Sequence, residues 1–199
     1  MATYERKDHY HQRAKAEGYR SRAAFKLIEI DDAQHILRRG MRVADLGCWP
    51  GGWLQVAAER VGLEGRVVGV DIAAIEPPLS LANVFALSGD LSDPSLIAAL
   101  LREAGARFET VLSDAAPKLT GIRASDRARE EALLEAIARA YPQLLALGGT
   151  LLVKLLECPE AHAFELDVRK RFQATKVLKP KASRKGTTER YLLAREFRG

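Results

Sequence analysis

The sequence predicts an α/β fold: a mostly parallel sheet with helices on both faces. Three observations carry that expectation. Strand-like and helix-like segments alternate along most of the chain. A glycine-rich turn, Asp45-Leu46-Gly47-Cys48-Trp49-Pro50-Gly51-Gly52-Trp53, joins an apolar segment to a helix start. Polar residues recur where the predicted strands end, the rim at which open parallel sheets bind ligands.

Each element has its own grounds. Residues 1–39 form a basic N-terminal segment, in which apolar residues at helical spacing predict a helix over 21–38, closed by Gly40. Strands are predicted at 41–46, 66–71, 84–88, 108–113, 149–155, 174–179 and 190–195. Helices fall between them at 52–62, 94–104, 125–146 and 160–171. The run 125–146 is the clearest, rich in Ala, Leu, Glu and Arg and ended by Gly148-Gly149. Asp93 before Pro94 reads as a helix N-cap. The last two strands are joined only by residues 181–189, too short for a helical crossover, so they pair as an antiparallel hairpin.

Composition narrows the class. A chain of 199 residues is long enough for one domain with a full core, and it reads as a single domain over 1–199. No apolar run reaches a membrane span, because Lys154 interrupts the longest candidate, Leu144 to Leu156. The polar N-terminal stretch is no secretory signal. Two cysteines, Cys48 and Cys158, suggest reduced thiols and a cytoplasmic setting. The histidines show no metal spacing with them, so no metal is expected. The net charge is +5, unevenly spread. Residues 1–26 carry seven Lys/Arg against three Asp/Glu, and residues 169–199 carry eleven against two, around an acidic middle. Joined by the fold, these ends would form a positive surface suited to a phosphate backbone. Interleaved apolar residues such as Tyr10, Tyr19, Phe25, Leu178 and Tyr191 argue against two disordered tails.

The glycines of the turn fall as G-x-x-x-G-G, which is not the G-x-G-x-x-G of a dinucleotide fingerprint. With an acidic residue two positions before the first glycine, the pattern fits S-adenosylmethionine. That cofactor needs carboxylates and backbone groups but no pyrophosphate cradle. The plainer alternative is a tight strand-to-helix turn of any α/β protein. Asp45, Asp71, Asp90, Asp114 and Lys154 end predicted strands. Asp71 is suited to accept both ribose hydroxyls of an adenosine cofactor, and Asp90 to accept from an adenine amino group. Any one of these alone is a cap or turn residue, and Asp45 is open to that reading; together they mark a site. Lys154 sits inside Leu151-Leu152-Val153-Lys154-Leu155-Leu156, a strand fit for burial. A buried lysine is costly unless paired or neutral. It is either a functional amine or a side chain snorkelling from an edge strand.

Five motifs stand in order along about residues 8 to 196: Gly18 to Leu27, Asp45-Leu46-Gly47 with Pro50-Gly51-Gly52-Trp53, Ser113-Asp114-Ala115-Ala116-Pro117, Val153-Lys154, and Ser183-Arg184 with Glu189-Arg190-Tyr191. In these motifs the chain resembles the FtsJ/RrmJ family of S-adenosylmethionine-dependent RNA ribose 2′-O-methyltransferases. The resemblance covers nearly the whole chain. It implies a Rossmann-like class I methyltransferase fold, seven-stranded with an antiparallel last strand. It implies a catalytic Lys-Asp-Lys-Glu tetrad of Lys26, Asp114, Lys154 and Glu189. It also implies cofactor contacts at Gly51, Trp53, Asp71, Asp90 and Asp114. The expected substrate is RNA, a uridine of the large ribosomal subunit, alone or in an assembled particle, and the expected enzyme is a monomer. In such chemistry Lys154 acts as a base if neutral, or orients the reacting oxygen if charged. Without the resemblance, Lys26 reads as an exposed helical lysine and Glu189 as a surface glutamate.

Two positions depart from the family pattern. Trp49 stands where small residues are usual, and Lys118 stands where many bacterial relatives carry asparagine. Three alternatives remain at this level: a tRNA anticodon-loop 2′-O-methyltransferase, a non-catalytic RNA-binding module on the same scaffold, and a nicotinamide oxidoreductase. The last is disfavoured by the glycine spacing.

Overall fold

The computed structural model describes residues 9–117, 120–184 and 186–199. Its strands are β1 (Arg42–Leu46), β2 (Arg66–Asp71), β3 (Val84–Ser88), β4 (Phe108–Ser113), β5 (Leu145–Leu155), β6 (Phe172–Leu178) and β7 (Arg190–Phe197). Its helices are α1 (His9–Ala16), α2 (Ala24–Gln34), α3 (Gly52–Val61), α4 (Pro94–Ala104), α5 (Arg123–Leu144) and α6 (Pro159–Arg171). The strands form one sheet in the order β3-β2-β1-β4-β5-β7-β6. The first five strands pair in parallel, whereas β7 is antiparallel to both β5 and β6. The predicted terminal hairpin is therefore present. Among the described residues no helix is long and apolar enough to cross a membrane.

Both faces of the sheet are covered, which explains why the central strands are apolar runs rather than alternating ones. Leu46, Val70, Val111, Leu151 and Val153 pack with Leu100, Ile137, Tyr141 and Phe164 of α4, α5 and α6. On the other face Val43, Val67, Leu112, Leu152 and Leu193 pack with Leu27, Trp53, Leu54 and Ala57 of α2 and α3. The two-residue period then dictates what the rim presents. Lys154 shares the face of Leu152, and Asp114 that of Leu112. Tyr191 lies opposite Lys154 in the β5–β7 register, so its side chain is on that face too. β5 is interior, between β4 and β7, which excludes the edge-strand reading of Lys154.

Several boundaries differ from expectation, most by one or two residues. The helix predicted over 21–38 is α2, Ala24–Gln34. It stops at His35, which takes a left-handed conformation (φ 51°). Asp31 Oδ1 accepts the Leu37 N–H at 2.9 Å, and the turn sends Ile36 and Leu37 into the core. Gly40 is thus part of the approach to β1, not the helix end. The helix predicted to 146 ends at Leu144, and β5 begins at once at Leu145. Leu145 pairs with Phe108 across a register shift, so Gly148-Gly149 lie within the strand. β6 starts two residues early because Phe172 packs against Phe197 and Tyr141. Asp93 caps α4 as expected, accepting the Ser95 N–H at 2.9 Å.

The two basic ends meet. Ala14 of α1, Phe25 of α2 and Ala182 of the β6–β7 connection form a small apolar cluster with Tyr10 and Tyr19. Arg22 Nη2 donates to the Ala182 carbonyl at 2.6 Å. Residues 1–8 of the basic N-terminal segment, and Lys118, lie outside the described residues.

Candidate active site

The carboxyl rim of β4 and β5 gathers Lys26, Asp114, Lys154 and Glu189. Lys154 Nζ donates to the Asp114 carbonyl at 2.5 Å and lies 3.2 Å from Asp114 Oδ1. Lys26 Nζ lies 2.8 Å from Glu189 Oε1 and 3.7 Å from Asp114 Oδ1. The four side chains are only 8–15% exposed, so neither Lys26 nor Glu189 is a solvated surface group. Two lysines and two carboxylates balance in charge, which makes their shared burial tolerable. Burial pushes the Glu189 carboxyl up. The hydrogen bond and charge of Lys26, with Ser183 and Lys154, outweigh it and hold Glu189 below the usual carboxylate range. An ammonium has three donors. The Asp114 carbonyl takes one from Lys154 and its carboxylate lies in ion-pair range, which leaves donor capacity for a ligand oxygen.

The sequence places Tyr191 in a motif and among the interleaved apolar residues without a role in the site, yet it joins the cluster. Its hydroxyl donates to Asp114 Oδ1 at 2.6 Å and lies 3.3 Å from Glu189 Oε1. Burial, then the two carboxylates, hold its pKa well above the usual phenol range, so it stays a neutral donor. Its ring stacks on Trp53 at 5.9 Å. Ser183 was another motif residue without a role; it donates to Glu189 Oε1 at 2.8 Å. Position offered a signal for Tyr191 alone, which follows Glu189 by one strand period; Ser183, in the β6–β7 connection, offered none.

The glycine turn lies beside this cluster. Gly47 has φ +83°, and a Cβ there would stand 2.4 Å from the Ala115 Cβ. The turn is therefore pressed against the residue after Asp114. Gly51 precedes α3 in a left-handed conformation, with no side-chain cap. Asp71 ends β2 and accepts the Trp49 N–H at 3.0 Å and the Ala73 N–H at 2.9 Å. An ionised carboxylate has about four acceptor positions, so acceptor capacity remains for a ligand. Asp90 is exposed in the loop after β3 and accepts the Ser92 N–H at 2.8 Å. That bond and the Ser92 side chain hold its pKa low. Trp53 is buried and donates its indole N–H to the Ala23 carbonyl at 2.8 Å, so its ring faces α2 and Tyr191. The Trp49 side chain is 59% exposed at the mouth of the turn.

Asp45 is the most deeply buried carboxylate of this rim. It is 1% exposed, and neither carboxylate oxygen has a hydrogen-bond partner among the described residues. Burial, then the charges of Asp114 and Asp71, raise its pKa well above the ordinary value. A buried carboxyl without a partner, beside glycines that admit close approach, fits a site for a polar ligand such as S-adenosylmethionine. It also predicts a pH dependence of stability. The folded-state pKa is raised, so the stability that neutral Asp45 permits is present below the unfolded value of about 3.9. It is lost as pH rises toward the folded value. Asp45→Asn should match the wild type near pH 4 and exceed it in denaturant midpoint at pH 8. Parallel pH dependences in the two proteins would contradict this.

The sequence model of the FtsJ-like methyltransferase family matches residues 19–197. The ribosomal RNA large subunit methyltransferase E of Methanothermobacter thermautotrophicus is 41% identical over 194 residues, 98% of this chain and 92% of that protein. The protein of the same name from Syntrophobacter fumaroxidans is 42% identical over 196 residues, 98% of each chain. A Plasmodium falciparum structure, provisionally designated a ribosomal RNA methyltransferase, superposes with a TM-score of 0.79 at 28% identity. It covers 91% of this chain and 100% of that one. Aeropyrum pernix fibrillarin, solved with natively bound S-adenosyl-L-methionine, shares the fold. Its TM-score is 0.62 at 16% identity, over 88% of this chain and 75% of that one. Because the family match takes in all seven strands and every member of the lysine–carboxylate cluster, the chain belongs to the FtsJ-like methyltransferase family.

Proposed function

We propose that the protein methylates a ribose 2′-hydroxyl of RNA with S-adenosylmethionine, and that the target is a uridine of 23S (large-subunit) ribosomal RNA. The observation that carries the reaction class is the buried cluster of Lys26, Asp114, Lys154 and Glu189 beside the glycine turn. The relatives named as large-subunit ribosomal RNA methyltransferases support the substrate class.

When bound, S-adenosylmethionine supplies an electrophilic methyl group on a sulfonium. Gly51, Trp53, Asp71, Asp90 and Asp114 are the residues we assign to hold it. The remaining work falls to the cluster. A ribose hydroxyl is a poor nucleophile, and holding it in line is worth several kcal/mol. Lys154 Nζ, fixed by Asp114, meets the hydroxyl oxygen. As a neutral amine it takes the hydroxyl proton; as an ammonium it steadies the charge developing on that oxygen. Asp114 and Glu189 orient the two amines, and Lys26 holds the substrate ribose or its phosphate.

The joined basic ends give RNA a surface beside this site. Charge reversal at Lys179, Lys181 and Arg184 together should weaken RNA binding and flatten its dependence on salt. A salt slope equal to that of the wild type in a filter-binding titration would remove this segment from the RNA path. The reading itself is tested by offering labelled cofactor to large ribosomal subunits and, separately, to tRNA, and mapping the modified nucleotide. Label on a uridine ribose of the large-subunit RNA is expected. Label on tRNA alone would overturn the target, and label on neither would overturn the reaction.

A further inference from the structure

Glu29 is outside the four-residue cluster, yet it touches the loop that leads to part of it. Its carboxylate accepts two consecutive main-chain N–H groups from the β6–β7 connection. Lys181 N donates to Oε1 at 2.8 Å, and Ala182 N to Oε2 at 3.1 Å. Arg22 holds the same segment through the Ala182 carbonyl at 2.6 Å. One residue on, Ser183 donates to Glu189 Oε1, the oxygen that Lys26 grips. Glu29 and Lys26 are one helical turn apart on α2. The connection is therefore clamped to α2 twice: through its main chain by Glu29, and through Glu189 by Lys26.

This clamp meets a physical need. Between Lys179 and Glu189 the described residues form neither helix nor strand, so ordering them costs conformational entropy. Lys179, Lys181 and Arg184 add mutual repulsion. A carboxylate accepting two N–H groups makes charge-assisted bonds, roughly twice as strong as neutral ones. It also brings a negative charge into a basic segment.

We propose that Glu29 is a positioning residue. By tying Lys181 and Ala182 to α2 it fixes the loop that carries Ser183 and Glu189, and so sets the Lys26–Glu189 contact. Its catalytic consequence rests on the methyltransferase reading above; the clamp itself does not. The groups facing Glu189 are Lys26 of α2, Arg22 just before it, Asp114 after β4, Lys154 of β5, Ser183 of the loop and Tyr191 of β7. If the loop retreats, Lys26 loosens its hold and Glu189 titrates at higher pH.

The test uses the full chain with Glu29→Gln and Glu29→Ala. Glutamine keeps the size and one acceptor but loses the charge, so it serves if the alanine variant does not fold. Three readouts are needed: amide hydrogen exchange at Lys181 and Ala182, the Glu189 carboxyl titration by NMR, and kcat and KM per folded molecule against pH. Exchange at both amides should accelerate, and Glu189 should titrate higher. The acid limb of the kcat profile should shift to higher pH, and kcat should fall by about tenfold or more, with KM for S-adenosylmethionine within about twofold. A lowered melting temperature with wild-type kcat, pH profile and Glu189 titration would overturn the proposal, leaving Glu29 merely structural. A wild type that transfers no methyl would overturn the reaction reading instead. The exchange and titration would then still decide whether Glu29 positions Glu189.

Discussion

Asp114→Asn is expected to lower methyl transfer by a factor of about 10² to 10⁴. Asp114 is the hub of the cluster. One carboxylate oxygen takes the Tyr191 hydroxyl at 2.6 Å and lies within 3.7 Å of both lysines. An amide can still accept from Tyr191, but it no longer offsets two ammonium groups. Glu189 is then the one carboxylate left within the four-residue cluster, and it pairs directly with Lys26. The main-chain carbonyl of residue 114 keeps a hold on Lys154, so the amine stays nearby while its charge balance is lost. Breaking one side of a buried charge pair costs about 3–5 kcal/mol. The variant should therefore melt lower as well as react slower. Transfer rates and thermal unfolding on one preparation check both effects; wild-type rates would remove Asp114 from the proposed chemistry.

Gly47→Val should destabilise the fold by roughly 2–4 kcal/mol, from left-handed backbone strain and overpacking together. The φ of +83° disfavours any side chain, and the new Cβ meets the Ala115 Cβ at 2.4 Å and its Cα at 3.0 Å. Ala115 follows Asp114, so what relaxation the clash allows moves the hub of the cluster. Gly105→Ala is the control. Gly105 also has positive φ (+75°) but nothing within 4 Å of its added Cβ, so the strain alone should cost about 1 kcal/mol. Denaturant unfolding separates the two, and equal losses would show that contact with Ala115 does not matter.

What the sequence disclosed follows from the range of the forces involved. Strand ends and the glycine turn are local, and the parallel sheet with its terminal hairpin could be read from alternation and connection length. The partnership of Lys26, Asp114, Lys154 and Glu189 joins residues up to 163 positions apart in number. Only the resemblance linked them before the fold did. Boundaries failed where tertiary contacts overrode local signals. His35 turns α2 off before Gly40 because Asp31 captures the Leu37 N–H. Leu145 enters β5 because Phe108 lies opposite. Tyr191 reads as an interleaved apolar residue and a motif member, and Ser183 as a motif member; their hydrogen-bonding roles depend on hydroxyl directions that the sequence does not encode. In the sequence Asp45 reads either as a member of the carboxylate rim or as a turn residue, and its unpartnered burial is visible only in three dimensions. Glu29 carried no signal at all: its partners are main-chain groups more than 150 residues away.

The central claim is that Lys154, held on Asp114, handles the hydroxyl that receives the methyl group. The most direct measurement compares single-turnover methyl transfer to large ribosomal subunits by the wild type and Lys154→Ala, with cofactor affinity measured by calorimetry on the same preparations. The account predicts a loss of about 10² or more in rate, while S-adenosylmethionine and RNA still bind. Transfer within a few-fold of the wild type would contradict it.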